Sequence, residues 1–302
     1  MMKYLLVPIL LLLSIKGYGQ NLIEAAPIRF VDNYIFVEIT VNNQNRPLNF
    51  WFDTGAGITV IDSDIAKQLA IEVTGESKIN TSGKSLVSKE STLNELKIGE
   101  KLILENITLV LMDLSHLTKY LNTNVDGVIG YDLLEKFITE TNIDSKEIRF
   151  YSPNDYVFNG HAKTIELTTL ESNLFGILIE TVPKNQSESI TLNLQIDTGA
   201  DNYLTFHNKI VKEHQLINSK KRQKTIKGFG ADSTIVTNVK GKVSEIGFGD
   251  KKWKNVPATF EVDPINSREN SLADGLLGQR LLLDFNITYN LKERLVYLEK
   301  RK

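Results

Sequence analysis

The sequence predicts an all-β fold made of two related, β-rich halves. Three observations carry that expectation. Two blocks of sequence recur in the same order. Short strands of alternating character are punctuated by Gly, Asn and Asp turns, and the segments able to form helices are few and short.

The first block is "FWFDTGAGITVID", residues 50–62, whose core returns as "QIDTGADNYLTF", residues 195–206, at an offset of 197 − 53 = 144. The second is "DGVIGYDLLEKFITETN" from Asp126, matched by "DGLLGQRLLLDFNITYN" from Asp274, at an offset of 274 − 126 = 148. Seven positions of this second pair are identical: Asp126/Asp274, Gly127/Gly275, Gly130/Gly278, Leu133/Leu281, Leu134/Leu282, Phe137/Phe285 and Asn142/Asn290. Common order and nearly common spacing indicate a repeated unit.

Between the blocks the halves agree element by element. "NYIFVEITVNNQNRPLNFWF" and "NLFGILIETVPKNQSESITLNLQI" each read as strand, polar turn and strand running into the acid. "LNELKIGEKLILENITLVLMD" and "KVSEIGFGDKKWKNVPATFEVD" alternate about a Gly turn, and "KEIRFY" and "RLVYL" close the halves as strands. Helices are expected only near 62–70, 131–136, 207–216 and 279–283. The polar stretch at 152–163 is the natural connection, giving an N-terminal lobe at 20–155 and a C-terminal lobe at 156–302.

Residues 1–19 have the three parts of a secretory signal: Lys3, an apolar run from Leu5 to Leu13, and Gly17 and Gly19 before a cut ahead of Gln20. The expectation is an exported protein, periplasmic or extracellular, with no transmembrane segment in the mature chain. An uncleaved anchor is the alternative. Only "QNLIEAAP" separates that cut from a first strand at about Ile28, too little for a pro-segment that fills a cleft. With no Cys, the fold rests on core burial without disulfides or thiolate zinc sites. Lys and Arg total 35 against 37 Asp and Glu, so charge gives no reason to expect nucleic acid as a partner.

The chemistry centres on Asp53 and Asp197, each placed at the end of an apolar strand. A lone ionised carboxylate in such company is costly unless paired. An acid at the same place in two halves suggests that each is the other's partner. Two adjacent carboxyls share one proton, one acting as base while the other acts as acid, and can activate a water between them. Two unrelated Asp-Gly turns are the alternative.

Asp53-Thr54-Gly55-Ala56 and Asp197-Thr198-Gly199-Ala200, each followed by an apolar-apolar-Gly element (Val128-Ile129-Gly130 and Leu276-Leu277-Gly278), resemble the aspartic proteases of the pepsin and retropepsin clan. The resemblance covers nearly the whole chain after the signal. It implies two β-barrel-like lobes of the acid-protease type with a cleft between them, a catalytic Asp53/Asp197 dyad, Thr54 and Thr198 bracing the opposite loop, and a hairpin flap over the cleft. Gly55 and Gly199 also make sense directly, since a side chain there would crowd the backbone beside the carboxylates. By the same likeness the flaps fall at 79–87 and 226–236, with Ser82, Gly83, Gly228, Phe229 and Gly230 as substrate contacts and the glycines suiting a mobile tip. Ordinary surface turns are the alternative. No Tyr occurs between Glu76 and Thr92, a departure from pepsin that makes the chain look like two fused retropepsin-type halves.

The implied activity is an aspartic endopeptidase acting on an extended polypeptide, monomeric, with no cofactor and no metal. The alternative is a non-catalytic, protease-like peptide-binding protein of the cell envelope. Pepsin-like members usually carry Ser or Thr where this chain has Ala56 and Ala200. A lost donor to the ionised dyad raises its pKa values, so the expected pH profile centres between roughly pH 5 and 7.

Overall fold

The computed structural model describes residues 22–80, 85–154, 156–184, 186–217, 224–229, 235–248, 251–263 and 271–302. The expected signal at 1–19 and the proposed contacts Ser82, Gly83 and Gly230 lie outside them. The fold is all-β, as the alternation of the sequence predicts, and is consistent with the acid-protease type that the resemblance implies. Its strands form two extended sheets.

One path of strands is laid down twice. In the first, Tyr34–Val41 pairs with Leu48–Phe52, followed in order by Gly127–Ile129, Val60–Asp62, Leu102–Met112, Ser85–Ile98 and Gly75–Asn80. In the second, Phe175–Val182 pairs with Ile190–Asp197, followed by Gly275–Gly278, Leu204–Phe206, Pro257–Glu261, Ile235–Lys242 and Lys224–Phe229. The strand that ends at each acid runs parallel to an apolar-apolar-Gly strand, with Phe52 opposite Ile129 and Ile196 opposite Leu277. Strands buried on both faces need near-continuous apolar sequence. Phe50, Phe52, Ile129, Leu194, Ile196 and Leu277 supply it, each at most 1% exposed.

The repeated Asp126 and Asp274 act on this arrangement and not on chemistry. Asp126 accepts the Asn49 N–H at 2.8 Å, and Asp274 accepts the Asn193 N–H at 2.8 Å, so each caps the strand that leads to an acid. Asp126→Ala or Asp274→Ala leaves a backbone donor unpaired, and a loss of about 1–3 kcal/mol in urea unfolding is expected. Wild-type stability in both variants would show that water replaces the carboxylate at no cost.

Helices form at Ser63–Gln68, Tyr131–Lys136, Asn208–Glu213 and Gln279–Leu282, within the four expected windows. Asp62 caps the first by accepting from the N–H groups of Asp64 and Ile65. A fifth helix, Ser115–Leu121, was not expected: its seven residues carry no side-chain N-cap, and its one signal is Asn122 in the left-handed conformation at its end. Among the described residues no helix is long and apolar enough to cross a membrane.

The six residues 22–27 correct the expectation of a short spacer before the first strand. The strand runs from Leu22 to Val31; its first part pairs with Glu147–Tyr151 and its second with Tyr34–Val41. Nor does pairing stop at the 152–163 connection. Lys163–Glu166, Leu295–Lys300, Phe285–Asn290, Ile138–Asn142, Glu147–Tyr151 and Leu22–Val31 lie side by side in that order, three strands from each half of the chain. The junction is Ile287 opposite Thr141. Phe158 of the connection stacks on Tyr297 at 4.3 Å between ring centres.

Candidate active site

Asp53 and Asp197 follow their buried strands into two loops that lock together. The Thr54 hydroxyl donates to the Ile196 carbonyl at 2.8 Å and accepts the Thr198 N–H at 3.0 Å. Reciprocally, the Thr198 hydroxyl donates to the Phe52 carbonyl at 3.1 Å and accepts the Thr54 N–H at 2.9 Å. Thr54 and Thr198 are 1% and 2% exposed, so these four bonds have no water to compete with.

This lock sets the carboxyls beside each other. Gly55 N–H donates to Asp53 Oδ1 at 2.7 Å and Gly199 N–H to Asp197 Oδ1 at 2.9 Å. A Cβ placed on Gly199 would stand 2.5 Å from the Asp53 carboxyl carbon, and one on Gly55 would stand 2.8 Å from Asp197 Oδ1. Each carboxyl therefore lies over the other loop's glycine, at separations no side chain there could respect. Gly130 supports the first loop from behind: a Cβ there would stand 2.7 Å from the Ala56 carbonyl oxygen and would collide with that of Asp53. The Asp53 N–H donates to the Ile129 carbonyl at 2.9 Å.

Both acids keep intermediate exposure, so solvent reaches them, while the strands that carry them are buried. Burial first, and then the charge of Asp197, push the Asp53 carboxyl up to about 8, against the lowering effect of the Gly55 and Gly199 N–H groups. The direction is the expected one, with desolvation and the neighbouring carboxyl as its leading causes. Such a pair shares a proton and holds both an acid and a base at one point.

A family model for aspartyl protease matches residues 37–133. The aspartyl-protease match contains Asp53-Thr54-Gly55 and Val128-Ile129-Gly130 and stops before Asp197. No curated protein matches the chain.

Sequence reasoning missed a polar bridge between the two loops' surroundings. Asn33 Nδ2 donates to Asp201 Oδ1 at 2.8 Å, and Arg280 holds the same carboxylate through Nε at 2.8 Å and Nη2 at 2.9 Å. The Arg280 bonds hold Asp201 below the usual carboxylate range. Its neighbour Tyr34 is 5% exposed and packs edge-on to Trp51 at 4.5 Å; burial first, then Tyr120, Asp201 and Asp197, raises its phenol. The available signal was a break in the repeat: Asp201 stands where the first half has Gly57, and Arg280 where it has Asp132. Asp132 instead accepts from Thr59 N–H at 2.7 Å and from its hydroxyl at 2.6 Å.

Both expected flap segments are hairpins. Gly75–Asn80 pairs with Ser85–Ile98, and Lys224–Phe229 with Ile235–Lys242. Gly228 sits in a paired strand opposite Val236, where a Cβ would stand 2.9 Å from Asn238 Nδ2; close cross-strand approach, not a mobile tip, explains the glycine. Phe229 pairs with Ile235. Among the described residues no cluster of three or more His, Asp or Glu could hold a metal ion.

Proposed function

We propose that the chain is an exported aspartic endopeptidase, a two-lobed monomer made by duplication, that hydrolyses peptide bonds in an extended polypeptide. The observation that carries this reading is the reciprocal Thr54/Thr198 lock, which sets Asp53 and Asp197 side by side. The ionised member takes a proton from a water held between them, the water attacks the peptide carbonyl, and the protonated member supplies the proton needed as the amine leaves. This chemistry calls for no cofactor. The paired hairpins at 75–98 and 224–242 offer backbone groups to a peptide bound as an added strand. Export rests on the three-part leader at 1–19, with periplasm or extracellular space as destination. A purified chain whose mass does not begin at Gln20 argues against that step.

The test is cleavage of a diverse peptide library with and without a statine-type transition-state mimic, followed across pH. The reactive form carries one proton on the pair, so kcat/KM rises as the first proton leaves and falls as the second leaves. Because burial and the neighbouring carboxyl raise Asp53 well above the ordinary carboxylate range, activity is expected to persist toward near-neutral pH and to decline above that. Cleavage indifferent to the mimic would overturn the reading, whereas an optimum at about pH 2–3 would show that the constants of the pair are not raised.

A further inference from the structure

A second site lies apart from the acids and shares no residue with their loops. The edge strand Lys251–Lys254, the turn Leu283–Phe285 and residues 300–302 line an open cavity of about 570 Å³. Its wall carries five cations, Lys251, Lys252, Lys300, Arg301 and Lys302, against the single acid Asp284. On a chain with net charge −2, that is a concentrated positive field.

Two of the five are already committed. Lys252 pairs with Glu245 at 2.8 Å, and Arg301 bonds Asp144 at 3.1 Å and the Leu283 carbonyl at 2.9 Å. Lys251, Lys300 and Lys302 have no carboxylate on their ammonium groups among the described residues. Lys251 stands over the Phe285 ring at 4.7 Å, and Phe285 packs in turn on Trp253 at 6.0 Å. The wall thus sets several lysines beside an aromatic floor, with Lys251 seated on the Phe285 ring.

We propose that this cavity binds a small polyanion bearing phosphate groups. Lysine ammoniums are mobile point charges suited to a multiply charged phosphate, and the one guanidinium in the wall is already taken. The volume is that of a small-ligand pocket. None of the large apolar side chains exposed elsewhere on the chain lies in its wall, so the site grips an anion without inserting into a bilayer.

Trp253 provides the readout, because the only other tryptophan, Trp51, is buried at 6% exposure. Inorganic tripolyphosphate titrated into the full chain should change tryptophan fluorescence saturably, and the Lys251→Gln/Lys300→Gln pair should weaken binding at least tenfold. The pair Lys240→Gln/Lys242→Gln removes the same charge from another strand and should leave the affinity within twofold. Vesicles of phosphatidylglycerol, against phosphatidylcholine, separate a lipid headgroup from a soluble phosphate as the source. Saturable binding lost only in the cavity pair, to tripolyphosphate or to the anionic vesicles, supports the site. Absence of saturable binding to either probe, or equal weakening in both pairs, overturns it.

Discussion

In the Asp53→Asn variant, the proposed peptide hydrolysis is expected to fall at least about a thousandfold while the folded chain gains stability near neutral pH. The amide cannot take a proton from water, so the pair loses its base and its shared proton together. The stability gain follows from the same carboxyl. Asp53 titrates well above its ordinary 3.8 in the folded chain, so its contribution is full below the unfolded value and is lost as pH climbs through the raised one. Wild-type stability should fall from about pH 4 to about pH 8, and the variant should remove much of that slope. Urea unfolding at three pH values, beside kcat/KM on one peptide, measures both effects. Retained hydrolysis would remove Asp53 from the chemistry, and an unchanged slope would remove burial as the source of its shift.

Removing the lock should cost the most stability. Thr54→Val keeps shape but strips the hydroxyl, leaving the Thr198 N–H and the Ile196 carbonyl without partners in a site closed to water. Each orphaned buried group costs about 1–3 kcal/mol, so a loss of about 2–6 kcal/mol is expected for Thr54→Val, and the same for Thr198→Val. The double variant should lose less than the sum, since both hydroxyls serve one network. Thr→Ser at either position keeps the bonds and should lose little. Unfolding midpoints settle the comparison: Val variants as stable as Ser variants would mean that packing, not hydrogen bonding, holds the loops.

The acids, the threonines and the apolar-apolar-Gly strands were legible because each is local and occurs twice. Alternation placed the hairpins, and polar turns placed their ends. What stayed hidden was long-range. Nothing periodic in Phe285–Asn290 says that it will lie against Ile138–Asn142, because pairing partners are chosen by three-dimensional closure. The Asn33, Asp201 and Arg280 bridge was invisible for a related reason: it exists where the halves differ, and a search for likeness passes over differences. Gly228 was misjudged because sequence shows that a side chain is missing but not which neighbour requires it. The Ser115–Leu121 helix escaped because its start lacks a capping side chain.

The six-stranded junction also constrains the order in which a nascent chain can finish folding. Ile138–Asn142 has its hairpin partner Glu147–Tyr151 soon after it leaves the ribosome, but its other edge waits for Phe285–Asn290, which emerges roughly 145 residues and several seconds later. During that interval an uncovered strand edge is offered to any other chain nearby. High contact order slows the same closure. The final strands of this protein thus serve as a lid on an edge made early, and truncations that remove them should aggregate before they fail to fold.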